Sequence, residues 1–339
     1  MQKKHFIIPI FIPQLACPFQ CIYCNQHNIS GILKEPTEQE IIKIIEQHLS
    51  TIPSDNNFIE VGIFGGSFTC LPENEQEKYL KIIQPFFESG AINGIRLSTR
   101  PDFINEDILK VLKRYNVATI ELGAQSLDDE VLKLSGRGHK AKDIINASKL
   151  IKQNGFSLGL QMMLGLPGDT LERSLKTAKA IVTLNADNTR IYPTLVIKDT
   201  TLEKLYRENN YMPLPLEDAV EWAKECYKIF EEADVKVLRM GLHPSEGLLS
   251  GESLVAGPFH VSFGDLVMTA LWKEIYTKEK VFQKRKLNNS IIIAVPKGQL
   301  NAATGYNASN KKILLQSFNK VKIIEDPLLT GRNYHADYC

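Results

Sequence analysis

The sequence predicts an α/β protein, a partial (β/α)6 barrel with a small α+β appendage at its C-terminal end. Three observations predict it. Short apolar runs alternate with longer amphipathic stretches about six times up to residue 233, as expected of a parallel sheet covered by helices. Polar or Gly-rich clusters follow one apolar run after another, at the strand ends where such barrels carry their chemistry. After Ala233 the rhythm changes and the chain turns basic.

The elements follow in order. Phe6–Ile12 reads as a strand and runs straight into a cysteine-bearing loop. Thr37 with Glu40 three residues on is a capping-box signal for the helix Ile41–Leu49. Strand Phe58–Phe64 leads through a Gly-rich turn into the helix Glu73–Phe87. Strand Ile95–Ser98 precedes the helix Glu106–Tyr115, and strand Ala118–Leu122 precedes helices at Asp128–Leu134 and Asp143–Asn154, closed by Gly155. Strand Leu158–Met163 precedes the helix Leu171–Leu184, and strand Thr189–Tyr192 a helix over Glu217–Ala233. Lys236–Met240 reads as a further strand and Leu266–Tyr276 as a helix. Ser290–Val295, Asn307–Phe318 and Val321–Glu325 read as a β-α-β unit. The expected organisation is a barrel over 1–235, a flanking extension over 236–277 and a basic appendage over 278–339.

Composition bounds the function. The 339 residues are 43% hydrophobic and 23% charged with net charge +1, ordinary for a soluble globular chain. The apolar run Phe6–Ile12 is too short to span a bilayer, and Met1-Gln2-Lys3-Lys4-His5 lacks the apolar core of a signal peptide. A cytoplasmic, reducing location and no membrane partner are expected.

The most informative residues are Cys17, Cys21 and Cys24, spaced C-x3-C-x2-C. Three thiolates on one loop can hold three irons of a [4Fe–4S] cube and leave the fourth without a protein ligand. Zinc is the alternative, with His27 as a fourth ligand. A disulfide scaffold is a poor fit to six cysteines in 339 residues. Cys70, Cys226 and Cys339 are scattered and lack a motif.

The triplet, with the aromatic Tyr23 before its last cysteine, resembles the signature of the radical S-adenosylmethionine (SAM) enzymes. The strand ends extend the likeness. Gly65-Gly66-Ser67-Phe68-Thr69, Ser98-Thr99-Arg100-Pro101-Asp102, Glu121-Leu122-Gly123-Ala124-Gln125-Ser126, Arg137-Gly138-His139, Gly165-Leu166-Pro167-Gly168-Asp169 and Arg190–Lys198 resemble, in order, the catalytic subunit of elongator. More distantly, the same core is similar to oxygen-independent coproporphyrinogen oxidase. The resemblance implies a TIM-type barrel, a [4Fe–4S] cluster on the three cysteines, and SAM chelated to its open iron and cleaved to a 5′-deoxyadenosyl radical. It implies that Gly65, Gly66 and Ser67 meet the methionine amino group, with Ser67 where the family often has Glu. It puts Ser98, Gln125, Arg137 and Gln161 on the ribose, carboxylate and adenine side, Gln161 replacing an acid of the coproporphyrinogen branch. Arg100, His139, Tyr192, Lys198 and Glu246 are candidates for substrate contact, with Arg100, Tyr192 and Lys198 the expected catalytic set. A flavodoxin- or ferredoxin-type electron donor is implied as partner.

The expected substrate is a transfer RNA base. Residues 278–322 hold ten Lys or Arg against the single acid Glu279, a plausible phosphate footprint. Thr304-Gly305-Tyr306-Asn307-Ala308 before a Lys-bearing helix resembles a KH-type RNA loop without its second glycine. The elongator subunit's acetyltransferase domain has no counterpart in the residues after 200. A small-molecule substrate, porphyrinogen-like, and a non-catalytic cluster or haem carrier are the competing readings.

Overall fold

The computed structural model describes residues 4–12, 17, 20–30, 34–53, 57–278, 281 and 290–338. Six strands arrive in sequence: β1 (Lys4–Phe11), β2 (Asn57–Phe64), β3 (Gly94–Thr99), β4 (Val117–Gln125), β5 (Ser157–Leu164) and β6 (Asn188–Pro193). A short β7 (Val196–Ile197) leaves the sheet, and β8 (Lys236–Met240) rejoins it. The seven strands lie in the order β1-β2-β3-β4-β5-β6-β8, every neighbouring pair parallel. They form a curled half-barrel. β9 (Leu254–Ala256) pairs antiparallel with β7.

The sequence signals act locally as expected. Thr37 caps the helix Glu38–Thr51: its Oγ1 accepts from the Glu40 amide at 3.3 Å while Glu40 Oε2 accepts from the Thr37 amide at 2.8 Å. Asn105 and Thr170 cap the helices Glu106–Arg114 and Leu171–Thr183 with side-chain oxygens. Each helix turns an apolar stripe onto the outer face of the sheet, so Ile41, Leu80, Leu109, Ile144 and Ile181 are buried against strand residues such as Ile10, Val61, Leu97, Leu122 and Leu160.

The appendage is richer than β-α-β. β10 (Ser290–Pro296) sits between a parallel β11 (Lys320–Asp326) and an antiparallel β12 (His335–Tyr338). The helix expected over Asn307–Phe318 is the shorter Ser309–Leu315, and a second short helix, Leu300–Thr304, precedes it. The break has a backbone cause: Gly305 (φ 85°), Asn307 (φ 51°) and Ala308 (φ 58°) all take left-handed or otherwise positive-φ conformations that end a right-handed helix. Helix Phe263–Lys278 joins the two units, giving Phe263, Val267 and Leu271 to the barrel core and Trp272 and Tyr276 to the appendage core. No helix among the described residues is long and apolar enough to cross a membrane.

Candidate functional site

A cavity of about 930 Å³ opens among the C-terminal ends of the strands and continues along the inner face of β1 and β8. Its lining gathers Cys17, Cys21, Cys24, Tyr23, Gly65, Gly66, Ser67, Ser98, Gln125, Arg137 and Gln161, together with Arg100 and Tyr192. Residues from Cys17 to Tyr192 therefore meet, at strand ends and on the loops beside them.

The cysteine loop is pinned by main-chain bonds. Ile12 N–H donates to the Phe64 carbonyl at 2.8 Å, Ile22 N–H to the Ser135 carbonyl at 3.2 Å, and Leu202 N–H to the Ile22 carbonyl at 2.7 Å. Gly65 is obligatory in this packing, since at φ 106° a Cβ would lie 2.4 Å from the Ile12 carbonyl oxygen. Cys17 Sγ lies 3.4 Å from Ser67 Oγ, and Cys24 Sγ 3.6 Å from Gln26 Nε2. Burial, then the charges of Cys21 and Cys17, push the Cys24 thiol up to about 12. A buried thiol that resists ionising beside two other cysteines suits a centre whose iron supplies the compensating positive charge. The His27 side chain, the fourth ligand of the zinc alternative, lies outside the described residues, as does Cys339.

Arg137 stands against this loop. Its Nη1 donates to Cys21 Sγ at 3.2 Å and reaches the Tyr23 hydroxyl at 3.5 Å, its Nη2 donates to the Gly123 carbonyl, and its Nε donates to His139 Nε2 at 3.2 Å. Burial opposes the guanidinium charge, and Tyr23 and Cys21 outweigh that and hold its pKa above the ordinary value. Burial, then the Arg137 charge, push His139 down to about 4, so the ring is neutral at pH 7 and can accept. Burial holds the Tyr23 phenol protonated, against the pull of Arg137.

Gln125 sits at a bulge in the β4–β5 ladder with φ 64°, and its buried Oε1 has no partner among the described residues. An orphaned amide oxygen in the wall of the cavity is a group waiting for a ligand donor. With the three thiols it makes the cavity a fit for a cluster and for a cofactor rich in N–H and O–H groups.

The sequence reading missed the barrel's charged interior. Glu60 Oε2 accepts from Arg96 Nε and Nη2 at 3.0 and 2.9 Å and pairs with His5 Nε2 at 2.7 Å. Arg96 Nη1 continues to Glu121 Oε1 at 2.6 Å. Glu121 Oε2 accepts from Arg190 Nε and from Gln161 Nε2, each at 2.8 Å. Gln161 also reaches Ser98 Oγ at 3.3 Å. This ladder explains the amide at 161: an acid there would face the Glu121 carboxylate. The available signal was a lone charge within an apolar strand, Glu60 in Phe58-Ile59-Glu60-Val61 and Arg96 in Ile95-Arg96-Leu97.

The substrate candidates separate. Arg100 is 1% exposed, and its guanidinium holds both Asp102 oxygens at 3.0 Å and the Arg137 carbonyl at 2.5 Å, so it braces the site. Tyr192 lines the cavity with its phenol pushed up by burial, and Glu246 lies at the rim. Lys198 is exposed and outside the cavity lining, its carbonyl taken by Asn25 and Asn28 side chains at 3.2 and 3.0 Å. It follows β7, the strand that leaves the sheet.

Comparison with known proteins agrees with this geometry. Residues 11–181 match the radical SAM superfamily and residues 186–273 the radical SAM C-terminal domain. The tRNA uridine(34) acetyltransferase of Dehalococcoides mccartyi (strain CBDB1) is 26% identical over 243 residues, 61% of this chain and 52% of its own length. The enzyme of that name from Methanocaldococcus infernus is 33% identical over 197 residues, covering 52% of this chain but 37% of its own length. The heme chaperone HemW of Bacillus subtilis (strain 168) is 25% identical over 234 residues, 68% of this chain and 60% of its own. The match thus spans about half of the first relative's length and about a third of the second's. Among solved structures, the archaeal Methanocaldococcus infernus Elp3 lacking its N-terminus shares the fold with a TM-score of 0.64 at 21% identity, over 88% of this chain and 73% of that one. Enzymes of the superfamily use a [4Fe–4S] cluster and SAM. With its three cysteines, its half-barrel and a family match over more than half its length, this chain belongs to the radical SAM superfamily.

Proposed function

We propose that this enzyme modifies a base of transfer RNA. The observation that carries the reading is its similarity to two tRNA uridine(34) acetyltransferases, over 61% and 52% of this chain. The cavity supports it: at about 930 Å³ it runs past the cofactor groups to a wall rich in Arg and Lys, and it is roomy enough for more than one small ligand. The acetyl transfer of those relatives is not carried across, because this chain aligns with 37% to 52% of their length.

In this reading Cys17, Cys21 and Cys24 hold the cluster. Gly65, Gly66 and Ser67 meet the methionine end of SAM, and Ser98, Gln125 and Gln161 its nucleoside end. Bound together, cluster and SAM supply one-electron chemistry able to take hydrogen from an unactivated carbon. The chain's own residues orient and shield. Glu121 fixes the Gln161 amide so that Nε2 is spent and Oε1 is left to accept from a hydroxyl. Arg137 donates to the Cys21 sulfur and so withdraws electron density from the centre. Arg100 fixes the loop that carries Arg137. Tyr192 stands where substrate enters. A flavodoxin- or ferredoxin-type protein delivers the electron.

Nucleoside mass spectrometry of transfer RNA from cells with and without the gene tests this. Loss of one modified nucleoside on deletion is expected, and identical profiles would overturn it. The match to a heme chaperone over 68% of this chain favours a second reading, a haem carrier. Stoichiometric haem binding without SAM cleavage would select it.

A further inference from the structure

The part of the cavity wall latest in sequence comes from β8 and the loop after it. It presents Lys236, Arg239, His243, Ser245 and Glu246. Arg190 and Arg239 are partners across the β6–β8 ladder. Side chains two residues apart on a strand share a face, so Tyr192 points the same way.

Arg239 differs from the other arginines of the cavity. Arg100 is matched by Asp102, Arg190 by Glu121, and Arg137 by the Cys21 sulfur. Arg239 donates through Nε to the Gly241 carbonyl at 3.1 Å and lies through Nη2 3.3 Å from His243 Nδ1, both neutral partners. No described carboxylate pairs with it. Nearby, Ser245 Oγ is buried with no partner among the described residues. An unmatched guanidinium and an orphaned hydroxyl on one wall call for an anion with several acceptor oxygens. Burial, then the Arg239 charge, lower the His243 pKa, so the ring adds a neutral group that can donate or accept.

We propose that Arg239, His243 and Ser245 form a phosphate subsite, with the Tyr192 hydroxyl as a further donor, that seats a phosphodiester of the RNA beside the nucleotide being modified. This rests on the RNA reading above. The guanidinium fork matches two phosphate oxygens at once, a geometry that lysine lacks. Glu246 at the same rim disfavours a bare anion. It suits a phosphate that arrives with a ribose hydroxyl or a base N–H for the carboxylate to accept, as a nucleotide does.

The test uses the full chain, reconstituted without oxygen, and three probes: unfractionated transfer RNA, uridine 5′-monophosphate beside uridine, and inorganic phosphate. Arg239→Ala should weaken transfer RNA binding about tenfold or more, the size of one charged hydrogen bond. It should also flatten the salt dependence by about one phosphate, roughly 0.7–0.9 in slope. Arg239→Lys should recover part of the affinity but not the preference for monophosphate over nucleoside. Iron content and thermal midpoint report whether each variant folds. Should Arg239→Ala fail to fold, Ser245→Ala and protection of wild-type Arg239 from phenylglyoxal by inorganic phosphate carry the test. Equal transfer RNA binding by folded wild type and Arg239→Ala overturns the subsite and leaves the RNA reading standing. Uridine 5′-monophosphate held through Arg239 by a protein that ignores transfer RNA supports the subsite and overturns the RNA reading. Indifference of every probe to Arg239 overturns the subsite.

Discussion

Arg137 shows how much a side chain's partners change its meaning. From the sequence it is a SAM contact, yet its guanidinium also grips the Cys21 sulfur, the Gly123 carbonyl and His139. The ligand loop is thus tied through one residue to β4 and to the loop after the helix Asp129–Leu134. Replacing Cys17, Cys21 or Cys24 with Ala should drop iron from about four per chain to near zero after reconstitution. Stoichiometric zinc in protein prepared without oxygen would contradict it. His139 gives a pH signature in the metal-free protein. Its folded value is about 4 against an ordinary 6.5, so the unfolded chain binds more protons between those values. Stability should therefore fall as pH drops from 6.5 toward 4. His139→Gln should flatten that dependence in urea unfolding across the window.

At the scale of elements, the buried ladder links β2, β3, β4 and β6 through charges no strand could bury alone. Burial pushes Glu60 up, but bonds from His5, Arg96 and Thr119 outweigh it and hold the carboxyl at about 2. Its contribution to stability is present above the ordinary carboxylate value and is lost as pH falls toward 2. Arg96→Met leaves Glu60 and Glu121 facing each other's charge without their shared partner. A loss of about 3–5 kcal/mol in urea unfolding at pH 7 is expected, shrinking as the pH is lowered and the acids protonate. In the appendage, Ala308 holds the left-handed conformation of the missing second glycine. Ala308→Gly should raise stability by about 1 kcal/mol, measured by denaturant unfolding. The KH-like loop itself is docked: the Tyr306 amide donates to Thr269 Oγ1 at 2.8 Å, and Asn310 Nδ2 donates to the Thr269 carbonyl at 3.1 Å. It fastens the appendage to helix Phe263–Lys278, and only Asn307 of its four residues is fully exposed.

For the whole molecule, the question is whether the basic appendage and the cavity serve one ligand. Lys297, Lys312, Lys320 and Lys322 are exposed, while 282–289, with Lys284, Arg285 and Lys286, lie outside the described residues. If the appendage tracks a phosphate backbone, affinity for transfer RNA should fall steeply with salt, by roughly 0.7–0.9 units of log K per phosphate. Changing Lys312, Lys320 and Lys322 together to Gln should flatten that slope by up to three such increments. An unchanged slope would confine RNA contact to the barrel.

The sequence by itself determined the alternation of strands and helices, the cap at Thr37, the cysteine triplet and the strand-end clusters. These are local signals: a period, a capping side chain or a ligand spacing lies within a few residues and survives without knowledge of the fold. Tertiary structure decided what register and topology control. Strand β8 returns to the sheet some forty residues after β6 leaves it, and only that return brings Arg239 beside Arg190 and Tyr192. The resemblance to the elongator subunit makes Lys198 a site candidate, and the departure of β7 carries it to the surface, outside the cavity lining. Glu60, Arg96, Glu121 and Arg190 are distant in sequence and become one ladder because parallel pairing stacks their inward positions. A charge inside an apolar strand announces that a partner exists, but which partner is a matter of register, and register is set by the packing of the whole barrel.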